Sequence, residues 1–142
     1  MEKVRLERFN KRDITQIFVG SLIGSLTFFF GSPVDQLALR ITFFHFPIII
    51  TLSFITSYAT SYSIGVRELG EKKKRKFLYI PIRCWIHVSF SFFTSFLVLY
   101  IFGSITFSES LDLILRKIMI LTLPSTFAGS ATDLIKSQKA KD

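Results

Sequence analysis

One cysteine, Cys84, is all the thiol this chain carries, which excludes an internal disulfide and a thiolate metal cluster. Beside the only tryptophan, Trp85, it reads as a packing residue, with palmitoylation the minor alternative. Catalytic signatures are missing too. There is no HExxH, no CxxC, no glycine-rich phosphate loop and no Ser/His/Asp set at a suggestive spacing, so the sequence offers no catalytic, metal or cofactor site and is not that of an enzyme. The largest deficit is of charge. Ile17–Phe30 and Phe90–Phe102 carry only Ser, Thr and Gly as polar relief, whereas a soluble helical bundle needs a polar face on every helix.

What the chain does have is apolar residues gathered into blocks, at 14–31, 37–65, 80–107 and 111–135. A bilayer-spanning helix needs about 20 mainly apolar residues, because the hydrocarbon core is about 30 Å thick and each residue rises about 1.5 Å. The blocks therefore predict an all-α membrane protein with transmembrane helices over 14–31, 37–65, 80–103 and 111–135, arranged as two hairpins. Residues 1–13 are left as a basic tail or interfacial helix and residues 136–142 as a second basic tail. In the first helix Gln16, Gly20, Gly24, Thr27 and Gly31 share a face, and Gly20-x-x-x-Gly24 lets another backbone approach closely. Packing within the monomer is preferred to a dimer seam. Pro47 predicts a kink in the second helix, where Ser53, Thr56, Ser57, Thr60 and Ser61 form a weakly polar stripe. His87, Ser91, Thr94 and Ser95 align on the third helix. Phe30-Gly31-Ser32 is echoed by Phe102-Gly103-Ser104, a faint sign of a parallel duplication.

Six of the eighteen basic residues fall in Arg67–Lys76, RELGEKKKRK, between the two apolar halves. Such a run must lie in water. Five more Lys and Arg precede the first helix and three follow the fourth, while Arg40, Arg116 and Lys117 alone belong to the opposite connections. Both termini and the central loop are therefore expected in the cytoplasm, with the protein in the plasma membrane as a multi-pass chain. The net charge of +8 is then explained by anionic lipid headgroups as partners, not nucleic acid.

Ionisable groups inside a bilayer each need a partner or a wet cavity. Arg83, at the start of the third helix, and Asp133, near the end of the fourth, come to similar depth in this topology and are expected to pair. Asp35, Arg40, Asp112, Arg116 and Lys117 gather at the opposite end, where snorkelling to headgroups would satisfy most of them. Arg116 also lies one turn from Asp112, the i, i+4 spacing of a helical ion pair. His45 and His87 would sit near opposite faces, so a histidine pair is not expected, and each is read as bonded to a neighbouring hydroxyl.

Residues 13–135 resemble the uncharacterised prokaryotic membrane proteins grouped as domain of unknown function 2391. Three stretches carry the resemblance: Phe18-Val19-Gly20-Ser21 ahead of an acidic turn, Arg83 continuing to Val88-Ser89, and Leu123-Pro124-Ser125-Thr126-Phe127-Ala128-Gly129-Ser130-Ala131-Thr132-Asp133. The family's first turn usually has adjacent glutamates before a Trp, where this chain has Ser32-Pro33-Val34-Asp35-Gln36. The resemblance implies a multi-pass helical fold and no known activity. The expected role is structural or assembly, through binding of lipid or partner helices and with a homo-oligomer open. A small oligomeric channel or transporter is the alternative.

Overall fold

The computed structural model describes the backbone of residues 11–65, 76–77 and 80–139, and the side chains of residues 14–60 and 83–132. Most of the expected basic tail at 1–13, the basic run from Arg67 to Arg75, and the side chain of Asp133 lie outside them. Among the described residues five helices follow in order: α1 (Lys11–Gly31), α2 (Val34–Arg40), α3 (His45–Gly65), α4 (Ile82–Ile101) and α5 (Leu111–Lys139). Between α3 and α4, β1 (Lys76–Phe77) and β2 (Ile80–Pro81) pair antiparallel, Lys76 opposite Pro81.

The expected second helix is two helices. α2 ends at Arg40, Ile41 is extended, and α3 leaves at 120° to α2 from His45. The kink expected at Pro47 is thus a full break a few residues earlier. A proline inside a helix clashes with the carbonyl four residues before it, here that of Phe43, but in the first turn it meets no such carbonyl and its missing N–H costs nothing. Starting α3 at His45 puts Pro47 in that turn. Two local bonds close the start: the His45 amide donates to the Thr42 carbonyl at 2.9 Å, and the Thr42 amide donates to His45 Nδ1 at 3.1 Å. The third expected helix also stops early, at Ile101, because Gly103 turns the chain with φ 67°.

α5 is the helix that the others share: it packs against α1, α2, α3 and α4. α4 also touches α1 and α3. Ile14–Gly31 and Arg83–Ile101 are long and apolar enough to cross a membrane, and α2 with α3 makes a third crossing if the bent pair counts as one. α5 is more polar because its sides meet protein. Its Thr122, Ser125, Thr126 and Ser130 are all buried.

Contacts fix the directions of the helices. α1 runs antiparallel to α5, with Gly20 beside Thr132 and Ala128, and Gly24 beside Ala128 and Pro124. α1 runs parallel to α4: Phe18 meets Phe90, Ser21 meets Ser91, Ser25 meets Ser95, and Phe30 meets Phe102. The face read from glycine spacing is therefore used at its centre, where Gly20 and Gly24 seat α1 on α5, and not at Gly31, which has open space around it.

A Cβ at Gly24 would lie 2.6 Å from Ala128 Cβ and 2.7 Å from the Pro124 carbonyl oxygen, neither of which can step aside cheaply. Gly24→Ala should destabilise the bundle by about 2 kcal/mol, while Gly31→Ala should stay within about 0.5 kcal/mol of the parent. Unfolding in mixed detergent–SDS micelles measures both.

Candidate functional site

Three features stand out, and they stack along α5. At the end of the bundle opposite the start of α1 and the end of α5 is a knot of charges. Lys117 is only 4% exposed, although its side chain could have extended to solvent. Its Nζ donates to Asp35 at 2.9 Å, to both oxygens of Glu109 at 3.0 Å, and to the Ser104 carbonyl at 2.5 Å. One ammonium therefore holds α2, the loop after α4 and its own helix together. Ser104 Oγ donates to Asp35 at 3.1 Å as well. The neighbouring Arg116 forms the expected pair with Asp112 at 2.6 Å and donates to the Ile41 carbonyl at 2.7 Å. That carbonyl lies in the break between α2 and α3, where a helix ladder cannot satisfy it. Snorkelling is thus wrong for Lys117, which turns inward because two carboxylates and a carbonyl meet all three of its donors. Beneath the knot, Val34, Leu99, Ile105, Ile118 and Leu121 form an apolar cluster, which fixes the α2 start against α4 and α5.

The middle of the bundle is a buried seam of hydroxyls. Ser21, Ser25, Ser91, Thr94, Ser95 and Ser125 are fully buried. Thr94 and Ser125 lie 3.0 Å apart, and Ser125 donates to the Ser21 carbonyl at 2.9 Å. Small side chains here let α1, α4 and α5 approach closely, which replaces the hydrophobic drive that lipid cannot supply. His87 is fully buried at the same face of α4, as its alignment with Ser91, Thr94 and Ser95 implies. His45 is exposed at the start of α3, and its ring bonds backbone, not a hydroxyl. The two histidines belong to opposite ends. Ser53, Ser57 and Ser130 are buried hydroxyls with no hydrogen-bond partner among the described residues.

The third feature is a groove of about 710 Å³ between α1 and α3, floored by α5. Ile23, Gly24, Thr27 and Phe28 form one wall, Leu52 and Thr56 the other, and Leu123, Pro124, Phe127 and Ala128 the floor. Thr27 and Thr56 turn their hydroxyls back to Ile23 and Leu52 carbonyls, each at 2.8 Å, so the walls present methyls. No histidine lines it. Sequence reasoning did not reach this groove, since its walls come from three helices whose spacing only the fold sets. Arg83 is half-buried at the start of α4. Asp35 is largely exposed within the knot, and Arg40 is exposed at the end of α2.

Bilayer-length apolar helices, a seam of small hydroxyl residues and a lipid-compatible surface define a helical integral membrane protein. The family model described as "Putative integral membrane protein (DUF2391)" matches residues 2–135, and the chain belongs to that family. No curated protein and no solved structure matches it.

Lys117 and its partners yield a graded expectation. Lys117→Gln should cost about 2 kcal/mol, between the values of exposed and buried ion pairs. Asp35→Asn should cost less than Glu109→Gln, because the Asp35 side chain is 69% exposed and that of Glu109 is 26%. Unfolding free energies of the three variants check the order.

Proposed function

We propose that the chain is a four-crossing plasma-membrane protein of structural or assembly type, which binds an apolar partner, lipid or helix, in the plane of the bilayer. The groove carries this reading: it is wide, lined by hydrocarbon, and opens sideways where a membrane protein meets acyl chains. α2 and α3 together make the second crossing, broken near one surface, and α5 makes the fourth, its polar residues shielded by its neighbours. Irregular backbone within a membrane is tolerated where protein satisfies it, and Arg116 does so at Ile41.

Orientation follows from the basic residues. Fifteen of the eighteen Lys and Arg belong by chain order to the end that holds the termini and the central loop. The other three are Arg40, Arg116 and Lys117, and two of those are held by acids. This asymmetry supports cytoplasmic termini. At the opposite end Phe43, Phe44, Phe107 and Leu111 are strongly exposed, as residues are that rest in the interfacial layer. A second reading, a small oligomeric channel or transporter, draws on the buried hydroxyls of Ser53, Ser57 and Ser130.

In a Cys84→Ser background, Phe107→Cys should react with an impermeant maleimide on intact cells, and Lys73→Cys only after permeabilisation. The reverse pattern contradicts the orientation. Purified protein in proteoliposomes should move no ions or protons across a broad panel; flux that scales with protein supports the second reading instead.

A further inference from the structure

We infer that the groove between α1 and α3 is a phospholipid site, with one acyl chain lying along α5 and the phosphate held by Arg40. This rests on the reading of the groove as a binding surface and names its occupant.

The fold itself shows why the groove exists. Across the α1/α4 contact, Phe18 meets Phe90 and Phe30 meets Phe102, residue pairs that share the 72-residue shift of the Phe-Gly-Ser echo. The same shift carries Ser53 to Ser125 and Thr60 to Thr132. Thr60 and Thr132 each donate to the carbonyl three residues earlier, those of Ser57 and Gly129. The other α1/α4 contacts, Ser21 with Ser91 and Ser25 with Ser95, join residues 70 apart, so the echo is local and the two hairpins pack differently. Within the second hairpin α4 packs on α5, but in the first, α1 and α3 do not close on each other. The groove lies in the opening this leaves between α1 and α3.

The occupant follows from what bounds the groove. On α5, Lys117 holds Asp35 at the start of α2, and Arg116 holds Ile41 just past its end. Arg116, Leu123 and Phe127 lie on one helical row, and Lys117, Pro124 and Ala128 on the next, at spacings of seven and four residues. α2 therefore crosses α5 about two turns beyond the groove floor. A partner helix, about 10–12 Å across and spanning the whole bilayer, would run into α2. An acyl chain that enters from the side would not, and a volume of about 710 Å³ is in the usual range of small-molecule sites. Its headgroup would come to α2. There Lys117 and Arg116 are already held by acids and carbonyls, whereas Arg40 is exposed and, among the described residues, has no acid or carbonyl partner. A guanidinium in that position matches a phosphate in charge and in fork geometry.

Native mass spectrometry of the detergent-purified full chain tests this with two probes of identical acyl chains, palmitoyl-oleoyl phosphatidylglycerol and palmitoyl-oleoyl glycerol. The parent should retain one phosphatidylglycerol per chain, about tenfold more tightly than the glycerol. Arg40→Gln should abolish that preference and leave the glycerol unchanged, and Thr56→Trp should weaken both. Equal retention of the two probes by the parent, or no effect of Arg40→Gln, overturns the proposal. If no lipid is retained and Ile23→Cys forms a covalent dimer on oxidation, a second copy fills the groove: the lipid assignment falls and the groove reading survives. If neither occurs, both fall.

Discussion

A lysine turned away from water ties the two halves of this protein together. Lys117 sits on the helix that every other described helix touches, and its ammonium takes ligands from α2 and from the loop after α4. The consequence reaches beyond the ion pair. α2 can leave α1, cross over α5 and stop, because its start is pinned by Asp35 and the carbonyl past its end is taken by Arg116. Without Arg116 the Ile41 carbonyl, in the break between α2 and α3, would lose the side-chain donor that satisfies it. α3 stands apart from α1, and the groove lies between them.

Farther along α5 the problem changes from charge to closeness. Helices in lipid gain nothing by hiding apolar side chains from one another, so packing density and short polar contacts must hold them. Gly20 and Gly24 bring the α1 backbone onto Pro124 and Ala128, and the serines of α1, α4 and α5 fill the remaining space with hydroxyls that find one another or a carbonyl. Many large apolar side chains point outward: Ile23, Ile55, Phe93 and Phe127 are all more than half exposed, while Ile17, Leu99 and Leu121 are among the few fully buried. This inversion of the soluble pattern, small and polar within, large and apolar without, agrees with membership in an integral membrane family.

Much of this was readable from residue order, and the exceptions have physical causes. α1 and α4 announce themselves by length and by lack of charge, and the glycine pair of α1 by spacing. The break at residues 41–44 does not, because a straight helix and a bent pair contain the same run of apolar residues; the one available signal was Pro47, which suits the start of a helix better than its middle. The burial of Lys117 was hidden because Asp35 is remote in sequence, and a lysine near a helix end has headgroups as its default partner. Glu109 lay close enough to be noticed, one loop before Lys117, but a nearby acid does not by itself say that a lysine turns inward. The expected pairing of Arg83 with Asp133 involves a side chain outside the described residues. The groove needed the fold.

The claim on which the account turns is that Lys117 holds α2 across α5. Hydrogen–deuterium exchange of α2 amides, compared between the parent and Lys117→Gln in the same nanodiscs, tests it most directly. The account predicts that the amides of Leu37 to Ile41 lose protection in the variant while the α1 amides around Gly20 and Gly24 keep theirs. Unchanged protection throughout α2 would contradict it.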